Sequence, residues 1–290
     1  MRTDDKEVAR QNGADRPTVG SWLAAQGCTG KEARAHLENG KVWLEQTPVR
    51  DARRPADPAR LRLEASRPRF NPEREPAVVY RDTRLCVVYK PSGVLSVPAP
   101  GRREPSVLTA CQRWFGKAFA VHRIDEGTSG LMMFALDEAT QTRLKDLLEV
   151  HDVERRYLAW VQGVFPEAPC TVESWFVRDR GDGLRGSVLA GRPRPTDAKR
   201  ALTHLIRITS GGGRSVVEAR LETGRTHQVR IHLAERGFPI IGDELYSRAR
   251  GSRLALHAHI LGFKHPWSGL THRYVSPLPD DLARAVGGGG

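Results

Sequence analysis

Long apolar runs are missing from this chain. No stretch approaches the ~20 residues of a membrane-spanning helix, and the N-terminal stretch MRTDDKEVARQNGADR is charged throughout, unlike a secretory signal. Cysteine is scarce. Cys28, Cys86, Cys111 and Cys170 lie far apart with no CxxC spacing, which argues against a zinc ribbon and a disulfide framework and fits a reducing cytoplasm. The ten histidines lack ligand spacing as well. His227 with His232, and His257 with His259, have no Cys, Asp or Glu placed as in a known metal site, so they read as packing residues. Gly211–Gly213 is not followed by the Lys-Ser/Thr and helix of a phosphate loop, and reads as a hairpin tip. No internal repeat is present. Lysine contributes only 8 of the 46 basic residues.

What the chain has in excess is positive charge, mostly arginine, with a formal net charge of +12. Such an excess suits a polyanion, most often nucleic acid, and the planar fork of arginine suits phosphate. Genomic base composition would produce the same arginine bias, and an anionic membrane surface is the rival partner. Apolar residues at 39% over 290 residues give enough material for one large core or two modest ones.

Residues 1–15 are polar and read as a loose segment. Over 16–66 the text passes through TVGSWLAAQG and KEARAHLENG, two short helical patterns closed by Gly27 and Gly40. KVWLEQTPV and ARLRLEAS then alternate like strands. This compact α+β module resembles the S4 RNA-binding domain, which also places a Gly-x-Val turn after its second helix, here Gly40-Lys41-Val42. The turn between its strands departs from the usual Asn-Gly, being Glu45-Gln46. The resemblance implies that Lys31, Arg34 and Lys41 meet RNA phosphate; otherwise they belong to a solvated helix face.

Residues 67–77, RPRFNPEREPA, read as a linker, and 285–290 as a flexible glycine tail. Between them, 78–284 form a strand-rich domain. VVYRDTRLCVVYKPSG gives two strands ending in a turn. Ser106 caps a helix with Val107, Leu108, Cys111 and Phe115 inward, and Asp137 opens another with Leu144, Leu147 and Leu148 inward. RRYLAWVQG is a strand, LTHLIRI and SVVEARL form a hairpin, and RTHQVRIHLAERG is a helix with Val229 and Leu233 on one face, stopped by Gly237. The predicted class is α+β: a mixed, mainly antiparallel sheet with flanking helices.

Three stretches use polar residues more specifically than packing requires: HRIDEGTSG, RRYLAWVQG and LETGRTHQVRIHL. An aspartate in a glycine-bounded turn, such as Asp125, by itself needs no more than a turn-forming role. Together with YKPSG and LALHAHILGFKHP, however, these stretches resemble the RluA-type family of RNA pseudouridine synthases. The resemblance covers about residues 78–280, with Ile124 where the family more often has Leu. It implies the pseudouridine synthase fold, RNA (rRNA or tRNA) as partner, and no metal or other cofactor. By it, Asp125 matches the catalytic aspartate, Tyr157 the active-site tyrosine and Arg225 the arginine that pairs with the aspartate.

The chemistry fits those residue types. Making pseudouridine breaks the N1–C1′ bond, turns the uracil and joins C5 to C1′, with nothing oxidised. A carboxylate suits a sugar carbon that becomes electron-poor, an arginine keeps a buried carboxylate ionised, and a tyrosine can stack on a base flipped out of its helix. Arg123 and Lys90 are candidate phosphate contacts. His122, Thr128, Gly130, Thr223, Gly224, His227 and Gln228 are expected to support the site. The aspartate can attack C1′, add to C6 of the base or remove the C2′ proton, and the sequence leaves all three open. Two rivals stand beside the enzyme: an RNA-binding assembly factor that has lost catalysis, and a carboxylate hydrolase of free nucleosides. A monomer is the default.

Overall fold

The computed structural model describes residues 17–38, 42–44, 47–49, 51–63, 75–102, 104–247 and 253–282. The segment 1–15, the turns at Gly40-Lys41 and Glu45-Gln46, most of the 67–77 linker and the tail 285–290 lie outside the described residues. The chain divides into two compact units, Met1–Arg69 and Phe70–Gly290.

In the first unit, α1 (Val19–Ala25) begins at a capping box in which the Thr18 hydroxyl accepts from the Ser21 N–H and the Ser21 hydroxyl accepts from the Thr18 N–H. Helix α2 (Gly30–Glu38) starts with the same exchange between Thr29 and Glu32. Strands β1 (Val42–Leu44), β2 (Thr47–Pro48) and β3 (Leu61–Leu63) make an antiparallel sheet ordered β2-β1-β3. Val19, Leu23, Leu37, Val42, Val49 and Leu61 form its core. Lys31 and Arg34 are exposed on α2.

The second unit is built on one large sheet. Its elements in chain order are β4 (Ala77–Arg81), β5 (Leu85–Lys90), α3 (Val107–Phe115), β6 (Phe119–Ala120), β7 (Ser129–Ala135), α4 (Glu138–Glu149), β8 (Val153–Gln162), β9 (Cys170–Val177), β10 (Gly186–Ser187), β11 (Lys199–Gly211), β12 (Arg214–Leu221), α5 (Gln228–Glu235), β13 (Leu256–Lys264) and β14 (Thr271–Val275). The strand order is β10-β9-β11-β12-β8-β13-β7-β5-β4, with β14 beside β13 and β6 beside β7. Among the described residues β13–β7 is the parallel pair and the other named pairs are antiparallel. This is the mixed, mainly antiparallel α+β sheet that the sequence predicts. Capping residues open the helices where expected: Ser106 accepts from the Thr109 N–H, and Asp137 from the Thr140 N–H.

One line of paired residues crosses the central strands. Lys90 pairs with Gly130, Gly130 with Ala258, Ala258 with Tyr157, Tyr157 with Ala219, and Ala219 with Leu205. Directly paired residues share a face, so Tyr157 stands between two alanines, with glycine beyond one of them. Small neighbours leave room above the sheet. Gly130 is also required by its surroundings: its φ is +119°, and an added Cβ would collide with the Ala258 carbonyl. Among the described residues no helix is long and apolar enough to cross a membrane.

Candidate active site

Asp125 sits in the turn between β6 and β7, and that turn is fastened from two sides. Its own backbone closes it, the Thr128 N–H donating to the Asp125 carbonyl at 3.0 Å. The segment after β5 holds the rest. Ser96 Oγ donates to the Ile124 carbonyl at 2.6 Å, Ser92 Oγ to the Gly127 carbonyl at 2.6 Å, and the Gly93 N–H to the Glu126 carbonyl at 2.7 Å. Arg102 pairs with the Glu126 carboxylate at 2.7 Å.

Lys90 belongs to this fastening, and here the structure corrects the expectation from sequence. Rather than offering its charge to RNA phosphate, its side chain is fully buried and Nζ donates to the carbonyls of Pro91, Val94 and Glu126 at 3.0, 2.7 and 2.9 Å. The cause is its place at the end of a central strand flanked by β4 and β7, where a charge must be satisfied internally.

The arginine on Asp125 is a second correction. The resemblance points to Arg225, but its Nε donates to the Arg200 carbonyl at 2.8 Å and its side chain is exposed. The partner is Arg230, whose Nη1 lies 3.3 Å from Asp125 Oδ2. Arg225 precedes α5 and lies along β11, whereas Arg230 is inside α5, a helix buried from Gln228 through Leu233. Nε and Nη2 of Arg230 grip Asp243 with two 2.8 Å bonds. Burial opposes the charge of Arg230, but Asp243 and Asp125 outweigh it and raise the pKa above the usual arginine value. Asp243 also accepts from the Leu245 and Tyr246 N–H groups. One guanidinium therefore bridges two carboxylates, fixed on one and reaching the other with its remaining edge.

That arrangement separates the two oxygens of Asp125. Oδ2 faces Arg230. On the Oδ1 side stands His227, its Nε2 at 4.0 Å, beyond hydrogen-bond reach. His227 has left-handed backbone, φ +61°, and its Nδ1 bonds the Tyr246 hydroxyl at 2.8 Å. Burial pushes its pKa down, against an upward pull from Asp125, so it is neutral at pH 7 and does not close off the carboxylate.

The cleft that Asp125 faces has a volume of about 450 Å³, within the range of small-molecule sites. Tyr157 forms part of its wall and is only 8% exposed. Its pKa is pushed up to about 12, first by burial and also by Asp125, while Arg155 opposes the rise; the phenol stays protonated. Thr223, Gly224 and Gln228 shape the facing wall. Gln228 Oε1 accepts from Thr223 Oγ1 and the Arg225 N–H, and its Nε2 donates to the Leu202 carbonyl and Thr203 Oγ1. His122 accepts the Met133 N–H at 3.1 Å, and burial, with Arg155 nearby, pushes its pKa down to about 3. Arg123 is exposed at the rim, and Thr128 is buried beside the Asp125 turn.

The structure thus brings Asp125, Tyr157, Arg225, Arg123, His122, Thr128, Thr223, Gly224, His227 and Gln228 around one cleft, leaves Gly130 beneath it in β7, and takes Lys90 out of it. Lys41 lies outside the described residues. Arg230, Asp243 and Arg155 were missed. Arg230 and Arg155 each sit inside an apolar pattern, VRI and VERRYLAWV, where a charge that must be buried is the available signal.

Known proteins resemble this chain in sequence and in fold. The model for RNA pseudouridylate synthase matches residues 84–235. An uncharacterized RNA pseudouridine synthase of Bacillus subtilis is 35% identical over 221 residues, 72% of this chain and 71% of that protein. A ribosomal large subunit pseudouridine synthase D of Neisseria meningitidis is 34% identical over 225 residues, 71% of this chain and 59% of that protein. The human protein RNA Pseudouridylate Synthase Domain Containing 1 superposes with a TM-score of 0.59 and 26% identity over 72% of this chain and 85% of that one. Matched in sequence from β5 through α5 and in fold across most of its length, the chain belongs to the RNA pseudouridylate synthase family.

Proposed function

We propose that this protein isomerises specific uridines to pseudouridine in structured RNA, with Asp125 as the group that works at the sugar carbon. One observation carries the assignment: Asp125 is held through one oxygen by a buried arginine while its other oxygen faces a nucleotide-sized cleft beside a protonated, buried tyrosine. Attack at C1′, addition at C6 and removal of the C2′ proton all use that open oxygen. The uridine leaves its stack to reach it. Tyr157 then lies against the flipped base, adding stacking on the order of 1–3 kcal/mol, and its hydroxyl is the candidate for moving the C5 proton. Arg123 at the rim holds phosphate as the nucleotide turns in.

The names of relatives favour ribosomal RNA of the large subunit over transfer RNA as substrate. The first unit, with exposed Lys31 and Arg34 on α2, acts as an S4-like RNA-binding module, the catalytic unit being residues 78–284. Near the cleft lies a groove of about 650 Å³ of mixed charge, in which Arg156 and Arg273 pair with Glu154 while Arg220 and Lys264 also line the wall; His151 and Leu221 line both. The protein acts as a monomer in the cytoplasm without metal or cofactor.

Release of tritium from RNA labelled at uracil C5 tests the reaction directly, because C5 loses its hydrogen when it joins C1′. Purified protein with ribosomal RNA should release tritium, and Asp125→Asn should release none while binding RNA within a few-fold of wild type. Liberation of free uracil from uridine, with its tritium retained, would favour the nucleoside-hydrolase reading; RNA binding without tritium release would favour the assembly factor.

A further inference from the structure

Arg155 is left without a purpose by the chemistry of Asp125 and Tyr157. It lies on β8 two residues before Tyr157, on the same face of the strand, roughly 7 Å away. Its side chain lines the cleft, yet the residue is only 7% exposed. Of its five N–H donors, one on Nη2 reaches the Glu222 carbonyl at 2.7 Å, and Nε is buried with no acceptor. No carboxylate among the described residues forms an ion pair with it. Burial holds its pKa below the usual arginine value; Tyr157 works against that shift, and the like charge of Arg225 adds to it. The guanidinium also lies against the loop before α5: a Cβ added to Gly224 would come within 2.6 Å of Nη1. Glycine at 224 keeps that place open for Arg155.

A buried cation without a counter-anion is among the most costly features a fold can keep. Arg230, which lines the same cleft from α5, shows the usual solution, with Asp243 and Asp125 both in contact. For Arg155 the missing anion has to come from outside. A base carbonyl is neutral and would satisfy a donor without offsetting the charge. A phosphodiester does both, and its two oxygens match the planar fork.

We propose that Arg155, with Arg225 at the rim, receives a phosphodiester of the bound RNA immediately beside the target uridine. This rests on the RNA-modifying reading of the Asp125 cleft and assigns the residue that fixes the strand's register there. Arg155 touches substrate but not the reacting atoms. Its loss therefore acts on binding and placement.

Two variants and two substrates test this. Arg155→Met keeps the bulk and removes the charge; Arg155→Lys keeps the charge and loses the fork. Without RNA, Arg155→Met should melt at or above the wild-type temperature, because a desolvated unpaired charge has gone; a structural arginine would give a lower one. In single-turnover assays its half-saturating RNA concentration should rise about ten- to a hundredfold, the worth of hydrogen bonds to a charged group, with Arg155→Lys between. The rate at saturation should change far less. Methylphosphonate at one of the two phosphates flanking the target uridine should weaken wild type by a similar factor and leave Arg155→Met unaffected. An equal penalty in both proteins, or a destabilised Arg155→Met with unchanged RNA affinity, overturns the proposal.

Should wild type form no pseudouridine, the functional reading fails, and the anion site is then judged with inorganic phosphate at constant ionic strength. Phosphate should raise the melting temperature of wild type more than that of Arg155→Met. Equal shifts would overturn the site.

Discussion

Asp125 and Arg230 meet across 105 residues of sequence, and the contribution of each depends on where its neighbours are. Asp125 needs a fixed position and an ionised state; Arg230 supplies both because Asp243 fixes Arg230 first. Removing Arg230 leaves Asp243, buried to 1% exposure, with an uncompensated charge. Arg230→Met should therefore cost about 3–5 kcal/mol of stability, the scale for breaking a buried pair, and should abolish turnover. Chemical denaturation together with tritium release checks both; a variant as stable as wild type would remove Arg230 from its bridging place. The sequence locates Asp125 and Tyr157 because short motifs surround them, yet it points to Arg225 for the pairing arginine. Two arginines five residues apart in one motif cannot be told apart by pattern. The start of α5 separates them in space, sending Arg225 along β11 and Arg230 into the core.

At the scale of elements, local signals and tertiary ones divide cleanly. The helices opened by Ser106 and Asp137 and the hairpin turning at Gly212–Gly213 are written locally, in caps and positive-φ glycines. The parallel pairing of β13 with β7 joins residues more than a hundred positions apart, and no local pattern announces it. Burial of α5 on all sides likewise escapes a periodic reading, because such a helix has no polar face to mark. Lys90 shows the consequence: a strand-end lysine reads as solvated until β4 and β7 enclose β5. Lys90→Met would take a donor from the Pro91, Val94 and Glu126 carbonyls; Glu126 keeps the Gly93 N–H, and each of the other two costs about 1–3 kcal/mol if left unsatisfied. The variant should be destabilised, and hydrogen exchange of the 92–94 and 125–128 amides should speed up more than that of β11 and β12. Uniform change across the sheet would argue that Lys90 does not fasten the Asp125 turn.

Across the whole molecule, three histidines, two of them fully buried and His122 partly so, tie stability to acid. His122 has a pKa pushed down to about 3, and His232 and His257 to about 4, each chiefly by burial. The unfolded chain takes up these protons near pH 6.5, while the folded state refuses them until far lower. The unfolded state therefore binds more protons throughout that window, and stability falls as pH drops from about 6.5 toward 4. Each histidine contributes on the order of 1.4 kcal/mol per pH unit once the unfolded form is fully charged. Denaturation midpoints between pH 7.5 and 5 should drop steeply, and His232→Gln should flatten the slope; a flat profile would mean the histidines are charged in the fold. The net charge of +12 acts at the same scale. It makes RNA affinity fall with added salt whatever the sequence bound, so target choice rests on the cleft and on the shape of the RNA around it.

The most direct measurement maps pseudouridine in RNA from cells with and without this gene, using a carbodiimide that tags the modified base and blocks reverse transcription. A stop that disappears on deletion, returns with the wild-type gene and does not return with Asp125→Asn is the predicted result. It would establish the reaction and name the modified position together. An unchanged pattern of stops in every RNA, or a stop restored by Asp125→Asn as fully as by wild type, would contradict an isomerase working through that carboxylate.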